Sequence, residues 1–371
     1  MNWRITFQII GLIAALLSLV PLFAADFWWI RIFDFPHLQL TAFTLIAILL
    51  YFFTFKPRWI KDYVYIGILL GCFAFQMTKI YKFTPLSSDE VLESTEGISA
   101  DKEITLFTAN VLQSNKTSEN LFKDIQDQNP DVILFTETNE RWSNTIKSKI
   151  GQDYSFKVEQ PQDNTYGMLL YSKLPIRNSS INFMVDNGIP SIDAQIQLKD
   201  GNWFQLLAIH PTPPMPQHNP KSTDRDTELM KTAIKSYNSD LPVVVLGDFN
   251  DVAWSDPTEL TKKIGKLLDY RLGRGFYNTF HAQYPIIMRW NLDHILTSSE
   301  FRFKSAGTGS DYGSDHFPVF VTLTHEPELA KEQEASEPTD REWKRAKDQM
   351  SEKGIESFTE LPPAFESLLD K

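Results

Sequence analysis

The chain has 371 residues, 42% hydrophobic and 13% aromatic, with a formal net charge of −11, and this length suffices for one large core with accessory parts. Its single cysteine, Cys72, excludes an intramolecular disulfide bond. Residues 1–83 carry seven basic against three acidic side chains, so the rest of the chain carries about −15, which excludes a general electrostatic attraction for nucleic acid.

The first 83 residues contain three runs without a charged side chain, of 21, 18 and 16 residues, at 5–25, 38–55 and 63–78. A membrane span needs about 17–25 apolar residues, so the first two runs are long enough and the third is marginal. The first run could otherwise be a cleaved signal peptide, but it is long for one and has no Ala-x-Ala cleavage site at its end. The other two could be buried core helices. We expect residues 1–82 to form a membrane anchor of three rather than two transmembrane helices.

Basic residues around these runs predict the orientation of the anchor. With three spans, the N-terminus and the connection 56–62 lie on one side of the membrane, and the following domain lies on the other. The first side carries Arg4, Lys56, Arg58 and Lys61, and the second carries Arg31, Lys79 and Lys82. The positive-inside rule therefore favours a cytoplasmic N-terminus and an exported domain.

After a polar linker at 83–102, strand-like apolar runs alternate with amphipathic segments up to residue 324. The expected strands lie at 104–110, 132–136, 168–172, 194–198, 203–210, 243–247, 292–297 and 319–323, and the expected helices at 118–128 and 224–237. Helices and consecutive strand pairs both occur, so the pattern predicts one globular α/β domain at 103–324 with a mixed sheet. Residues 325–371 are rich in Glu, Lys, Asp and Ser. They predict a polar acidic tail, disordered or partly helical around 340–350.

Several of the apolar runs have, at or beside their ends, a residue that can bind a metal or transfer a proton. These residues are Asn110, Glu137, His210, Asp248 with Asn250, Asp293, and Asp315 with His316. Singly, such an Asn is more typical of a turn, such a Glu of a solvated cap and such a His of a structural role. Carboxylates are rarely buried without a partner, however, and loops at one edge of a sheet can collect polar groups. The repetition therefore predicts a divalent-metal and general-base site.

In this order, the residues resemble the signature of the endonuclease/exonuclease/phosphatase superfamily, which includes deoxyribonuclease-like enzymes, neutral sphingomyelinases and inositol polyphosphate phosphatases. The segments Gly247-Asp248-Phe249-Asn250 and Ser314-Asp315-His316 are specific in combination, whereas Asn110 and Glu137 alone are weak signals. The resemblance covers residues 103–324 and implies a four-layer α-β-β-α sandwich of two mixed sheets. The chain is similar to bacterial members with an N-terminal hydrophobic anchor. That similarity implies a multi-pass protein of the bacterial inner membrane, with the catalytic domain on the periplasmic or extracellular side.

The resemblance also implies a metal cofactor. The negative charge of a phosphate ester repels a nucleophile, so hydrolysis needs a hard cation bound by oxygen ligands. Glu137 and Asp315 are the implied metal ligands, with Asp248 and Asn250 completing or sharing the shell. Mg²⁺ suits a site of few carboxylates plus waters, and Mn²⁺ would substitute for it. No protein partner can be inferred.

The catalytic roles implied by the resemblance centre on one pair. The residue matching Asp293 orients the histidine matching His316, which acts as general base or stabilises the attacked phosphate. Asp248 is the alternative for activating water, and the sequence leaves the base role open between Asp248 and His316. His294 follows Asp293 on a strand, so we expect it to point away and to be structural.

Three further residues have roles that concern the substrate. Asn110 and Asn250 would position the phosphate, and His210 would protonate or stabilise the leaving oxygen. Family members usually add a carboxylate or a tyrosine between the Glu and His segments, for which Asp163 and Tyr166 are candidates without a firm match.

These expectations describe a membrane-anchored, magnesium-dependent phosphoesterase. A phosphodiester is favoured over a monoester, and both a nucleic acid and a phospholipid or its headgroup stay open as substrates. An inositol phosphatase is less favoured, because the motifs lack the Lys/Arg cluster that several phosphates need. The alternative is a non-enzymatic membrane protein that uses a degenerate domain of this fold for binding. Every residue that the chemistry demands is present, which favours the enzyme.

Overall fold

The computed structural model describes residues 2–23, 26–216 and 219–351 of the chain. Its N-terminal part is helical: α1 (Trp3–Leu19), α2 (Trp28–Arg31), α3 (His37–Phe52) and α4 (Ile60–Ile80). The three long helices pack together through Ala15, Ile48, Tyr51 and Leu69, while apolar side chains on their outer faces stay exposed. An apolar exterior of this kind is typical of helices that face lipid.

By length and composition, two helical segments, Trp3–Leu22 and Ile60–Phe83, can each cross a membrane. The segments Trp28–Asp34 and His37–Phe52 pass the same test together but are bent by 71°, so they add a third span only if the bent pair forms one. Two helices are therefore long and apolar enough to cross a membrane, and the membrane anchor and its number of spans stay predictions.

The rest of the molecule is built on two six-stranded sheets. One has the order β11 (Phe301–Thr308), β12 (Val319–His325), β1 (Glu103–Asn110), β2 (Val132–Thr136), β4 (Met168–Ser172) and β3 (Phe156–Gln160). The other has the order β5 (Ile176–Asn182), β6 (Ser191–Gln197), β7 (Trp203–Ala208), β8 (Val243–Asp248), β10 (Asp293–Thr297) and β9 (Leu268–Asp269). In each sheet one pair is parallel, β1 with β2 and β7 with β8, and the other pairs are antiparallel.

Helices cover the outer face of each sheet. They are α5 (Glu119–Gln128) and α6 (Glu140–Ile150) on the first sheet, and α7 (Thr223–Tyr237), α8 (Asp256–Ile264) and α9 (Asp340–Ser351) on the second. The predicted α/β fold, a four-layer α-β-β-α sandwich of two mixed sheets, is confirmed.

The central strands are apolar on both faces. In β1, Ile104 and Leu106 point into the core between the sheets, whereas Phe107 and Ala109 pack under the outer helices. Successive side chains of a strand point to opposite faces, so a strand covered on both sides needs an apolar residue at nearly every position. This explains why the central strands are continuous apolar runs in the sequence.

The predicted linker 83–102 packs against the sandwich instead of standing free in solvent. Phe83 is fully buried beside Trp254 and Leu272, and Val91 is fully buried in the core between the sheets. The linker therefore fixes the N-terminal helices to the domain.

The first part of the predicted tail is also packed. The helix expected around 340–350 is present as α9, and its Trp343, Ala346 and Met350 are buried against α7 and α8. Their i, i+3, i+7 spacing places them on one helix face, so three apolar side chains dock a segment whose overall composition is polar. The packed region thus extends beyond the predicted limits of 103–324. Residues 352–371 of the predicted tail lie outside the described residues.

Candidate active site

The predicted site residues come together at one edge of the sandwich. The parallel pairs β1–β2 and β7–β8 end at this edge, and the antiparallel partners β12 and β10 begin there. The loops and strand ends at this edge carry Asn110, Glu137, His210, Asp248, Asn250, Asp293, Asp315 and His316. Both sheets therefore contribute to one pocket.

Asn110 joins the two sheets at the centre of this pocket. Its Nδ2 donates to Glu137 Oε1 at 3.0 Å and to Asp248 Oδ2 at 2.9 Å. Its backbone carbonyl accepts a hydrogen bond from Ser314 Oγ at 2.7 Å. One amide therefore holds a carboxylate from each sheet at a fixed separation.

The end of β8 is shaped by Gly247. Its φ is 141°, and a Cβ there would lie 2.0 Å from the carbonyl oxygen of Ile209, so a larger residue does not fit. This close approach brings His210 Nε2 within 3.7 Å of Asp248 Oδ2. Asp248 Oδ1 accepts a hydrogen bond from the backbone N–H of Asn250 at 2.9 Å. Burial raises the pKa of Asp248.

Asp293 and His316 form a buried pair beside Asp248. Asp293 lies opposite Asp248 in the β8–β10 ladder, so the two side chains share one face of the sheet. His316 Nδ1 donates to Asp293 Oδ2 at 2.7 Å, and His316 Nε2 lies 3.6 Å from Asp248 Oδ2. Burial alone would lower the pKa of His316, but the carboxylates of Asp293 and Asp248 outweigh it and raise the pKa to about 10. His316 is therefore an imidazolium at neutral pH.

His210, unlike His316, has a lowered pKa. It is fully enclosed, and burial lowers its pKa, so its ring is neutral at pH 7. Its Nδ1 has no hydrogen-bond partner among the described residues, and its ring centre lies 5.2 Å from that of Tyr166. Burial raises the pKa of Tyr166, which keeps the phenol protonated. The pocket thus contains one cationic and one neutral histidine.

Tyr166 therefore belongs to the site, whereas within the described residues no hydrogen bond or ion pair joins Asp163 to the other predicted residues. Asp163 is exposed, and its backbone carbonyl accepts a hydrogen bond from Gln113 Nε2 at 3.1 Å. A Cβ at Gly167 would lie 1.7 Å from the carbonyl oxygen of Thr138, so the loop before β4 passes directly beside the end of β2. This contact places Tyr166 against the pocket.

Glu137 and Asp315 are partly exposed, whereas Asp248, Asp293 and His316 are buried. Burial raises the pKa of Glu137, and the hydrogen bond from Asn110 and the charge of His316 offset this only in part, since Asp315 and Asp248 add to the increase. Clustered carboxylates of this kind favour a bound cation. The carboxylates of Asp248 and Asp293 and a ring nitrogen of His316 also lie within 4.8 Å of one another, and of these three groups the two carboxylates can bind a cation while the ring is protonated. The donors are mostly oxygen atoms and the only cysteine lies in α4, so the set fits a hard divalent ion such as Mg²⁺ or Mn²⁺.

His294 points away from the pocket, as predicted. Its Nε2 lies 2.9 Å from the carbonyl oxygen of Asp251, its Nδ1 lies 2.7 Å from Arg271, and its ring stacks on Phe249. It supports the loop after β8 from behind, so its role is structural.

Arg225 supports the site without a recognisable sequence signal. This buried residue of α7 donates from Nη1 to the carbonyl oxygen of Asn250 at 3.0 Å and pairs with Asp251 at 3.3 Å. Its neighbour Asp226 lies 3.7 Å from Arg31, which belongs to the N-terminal helical part. An ionic network therefore connects the N-terminal helical part to the loop that carries Asn250.

Residues 107–316 match the Endonuclease/Exonuclease/phosphatase family, and the chain belongs to this family. The family comprises hydrolases that act on phosphoester bonds, generally with divalent metals. No curated protein sequence matches the chain.

Solved structures show the same fold. The structure of D. rerio TDP2 in complex with a single-stranded DNA product is 16% identical, has a TM-score of 0.50, and covers 60% of this chain and 99% of its own. An endonuclease/exonuclease/phosphatase from Bacteroides vulgatus is 19% identical, with a TM-score of 0.50 and coverage of 60% and 99%. One from Beutenbergia cavernae is 12% identical, with a TM-score of 0.50 and coverage of 61% and 72%.

Proposed function

We propose that this chain is a membrane-anchored, divalent-metal-dependent phosphoesterase that hydrolyses a phosphodiester. The observation that carries the proposal is the hydrogen-bonded set Glu137–Asn110–Asp248 beside the Asp293–His316 pair. This set combines oxygen donors for a hard cation, a buried carboxylate and an imidazolium in one pocket. A non-enzymatic domain of this fold would not need all of these groups together.

Glu137 and Asp315 would hold Mg²⁺, or Mn²⁺ in its place, with Asp248 and Asn250 completing or sharing the shell. A cation held there would supply positive charge at the phosphate and polarise its oxygens. Glu137 and Asp315 are partly exposed, so such a cation could keep the water ligands that Mg²⁺ prefers.

The protonation states support a division of the catalytic work. His316 is already an imidazolium, so it donates a hydrogen bond to a phosphate oxygen more readily than it accepts a proton. Asp248 is buried between His210 and His316 and accepts a hydrogen bond from Asn110, and with His316 protonated its carboxylate is the remaining candidate base for the attacking water. His210 is neutral and borders the same carboxylate, which suits a hydrogen bond to the leaving oxygen. Asn110 and Asn250 orient these groups and the phosphate.

A phosphodiester suits the charge of the pocket better than a monoester. Near neutral pH a diester carries one negative charge, whereas a monoester carries up to two. His316 is the one cationic side chain among the eight predicted site residues, which include no Lys or Arg. Several phosphates on one substrate would need more cationic partners than this pocket provides.

The location is also part of the proposal. The apolar N-terminal helices support a multi-pass anchor in a bacterial inner membrane, with the catalytic domain on the periplasmic or extracellular side. Protease added outside intact cells or, for a periplasmic domain, outside spheroplasts should then remove the domain and leave a membrane-bound fragment. Digestion in inverted vesicles alone would place the domain in the cytoplasm.

The proposed activity is tested by assaying the purified full-length protein against bis-p-nitrophenyl phosphate, single-stranded DNA and sphingomyelin, each with and without Mg²⁺. We expect metal-dependent hydrolysis of at least one of the three. A folded protein that hydrolyses none of them, with either Mg²⁺ or Mn²⁺, would refute the proposal.

A further inference from the structure

The loop 284–288 presents apolar side chains to solvent next to the pocket. Ile286 is 73% exposed and Ile287 is 70% exposed, and Tyr284 and Met288 beside them are also exposed. We call this segment the apolar loop. Contiguous apolar side chains on the surface of a folded domain indicate a surface that something else covers.

The apolar loop lies beside the anchor. Gln39, in the first turn of α3, donates from Nε2 to the carbonyl oxygen of Ile287 at 2.7 Å. Phe35, just before α3, makes an edge contact with Trp290 at 6.1 Å between ring centres. Farther along α3, Leu45, Ile46 and Leu49 are exposed, and lipid is their expected environment. The side chains of the apolar loop therefore continue the apolar surface of the anchor at the level where α3 begins.

The residues that flank the apolar loop, rather than the loop itself, contact the pocket residues. At its base, the backbone N–H of Phe280 donates to the carbonyl oxygen of Trp290 at 2.9 Å, and the Phe280 ring lies 5.0 Å from that of His316. The backbone N–H of Ala282 donates to the carbonyl oxygen of Asp315 at 2.7 Å. A molecule that contacts the apolar loop therefore lies next to Asp315 and His316.

A second segment near the pocket also rests on the anchor. The chain after His210 is tied to it by two backbone hydrogen bonds, from Trp28 N–H to the carbonyl oxygen of Pro220 at 2.8 Å and from Ser222 N–H to the carbonyl oxygen of Asp26 at 2.7 Å. Trp29, next to this contact, is exposed. The segment after His210 and the segment before Asp293 thus both contact the anchor. The edge of the sandwich that carries the pocket is therefore the edge that faces the anchor.

We propose that the apolar loop inserts into the bilayer that holds the anchor, and that the pocket takes the phosphodiester of a membrane phospholipid. This inference rests on the proposed phosphodiesterase function and on the proposed anchor, and it selects the lipid over nucleic acid. The aliphatic tip with a flanking tyrosine has the composition of a membrane-interface segment. The charge of about −15 on the residues after 83 opposes a polyanionic nucleic acid but not a lipid that diffuses within the membrane.

The reaction consumes one water. Its oxygen forms a bond to phosphorus, and the bond between phosphorus and one ester oxygen breaks. The proton lost by the water goes to a base, and the leaving oxygen gains one proton, which gives an alcohol and a phosphate monoester. No oxidant or second substrate is needed.

The experiment uses full-length protein reconstituted into phosphatidylcholine vesicles that contain sphingomyelin. Rates of phospholipid hydrolysis are compared with rates on soluble bis-p-nitrophenyl phosphate for wild type and the double variant Ile286→Ser/Ile287→Ser. We expect the variant to lose about tenfold or more on the vesicle lipid, since two isoleucines no longer enter the bilayer, and to stay within about twofold on the soluble diester. The matched control is Phe156→Ser, an exposed aromatic at the opposite edge of the sandwich, which should change neither rate.

Equal rates of variant and wild type on vesicles would overturn the inference, as would wild-type cleavage of single-stranded DNA or the soluble diester without cleavage of lipid. Failure on all substrates would instead refute the phosphodiesterase function itself. Insertion is measured separately with Ile287→Cys in a Cys72→Ser background, labelled with a fluorescent dye. Quenching by nitroxide-labelled lipid is expected, and its absence would contradict insertion.

Discussion

Variants of the pair Asp293–His316 give the sharpest test of the catalytic roles proposed for the pocket residues. Asp293→Asn removes the carboxylate that does most to raise the pKa of His316, while keeping the shape of the side chain. A hydrogen bond to a charged group contributes about 1.5–3 kcal/mol. If that contribution is lost only in the transition state, turnover should fall by roughly 10- to 150-fold. His316→Ala removes the imidazolium itself, and we expect a loss of about 10²–10⁴-fold.

Because both changes disable one unit, the double variant should be hardly slower than His316→Ala alone. The assay is turnover of bis-p-nitrophenyl phosphate at saturating Mg²⁺, with circular dichroism to verify folding and a Mg²⁺ titration of each variant. Losses that multiply in the double variant would show that the two residues act independently. Full activity in folded His316→Ala would remove that residue from the mechanism. A large rise in the Mg²⁺ requirement of Asp293→Asn would instead place the ion at Asp248 and Asp293, whose carboxylate oxygens lie within 4.8 Å of each other.

Three further predictions follow from individual residues. Glu137→Gln should raise the Mg²⁺ concentration for half-maximal activity by about tenfold or more, because one metal ligand loses its charge; the exposed Asp163→Asn is the control and should not shift it. Gly247→Ala should abolish activity and lower the melting temperature, because its Cβ would lie 2.0 Å from the carbonyl oxygen of Ile209; a melting temperature equal to wild type would contradict this. Burial raises the pKa of Glu228 to about 8, so the folded chain keeps a proton that the unfolded chain releases near pH 4.5, and stability falls as the pH rises between these values. Glu228→Gln removes the free energy needed to keep this group protonated in the folded chain at high pH, which is about a few kcal/mol. The variant should therefore raise the melting temperature more at pH 9 than at pH 5. Equal increases at both pH values would show that Glu228 is not buried as a neutral acid.

The sequence predicted those strands that are covered on both faces. β1, β2 and β8 are continuous apolar runs, and each is present close to its expected bounds. β5 was missed because it is an edge strand with the polar sequence Ile-Arg-Asn-Ser-Ser-Ile-Asn, most of it exposed. α8 was missed although its start carries a signal, since Ser255 caps the helix by accepting a hydrogen bond from Thr258 N–H and a proline follows at 257.

In the pocket, the sequence could identify residues that strand ends place directly. Asn110, Asp248 and Asp293 are of this kind, because their strands also form the core. Tyr166 could only be a candidate, since its position depends on a loop contact between Gly167 and Thr138. Arg225 could not be found at all, because it reaches Asn250 from a helix that has no motif.

The sequence also did not predict that the linker and α9 pack against the domain. Both segments are mostly polar, and their few apolar residues hardly change the overall composition. Val91 and Trp343 are nevertheless buried, because each has an apolar cluster beneath it. Whether a side chain is buried depends on the surface against which its segment packs, and the composition of the segment does not give this information.

The central claim is that the pocket around Asp248 hydrolyses a phosphodiester with a divalent cation. It is tested most directly by the rate at which the purified full-length protein hydrolyses bis-p-nitrophenyl phosphate, measured for wild type and Asp248→Asn with Mg²⁺ and with excess chelator. We expect turnover that needs Mg²⁺ and that falls by roughly 10²–10⁴-fold in the variant, because the proposed base is lost. Turnover that persists in chelator, or a folded Asp248→Asn protein as fast as wild type, would contradict the claim.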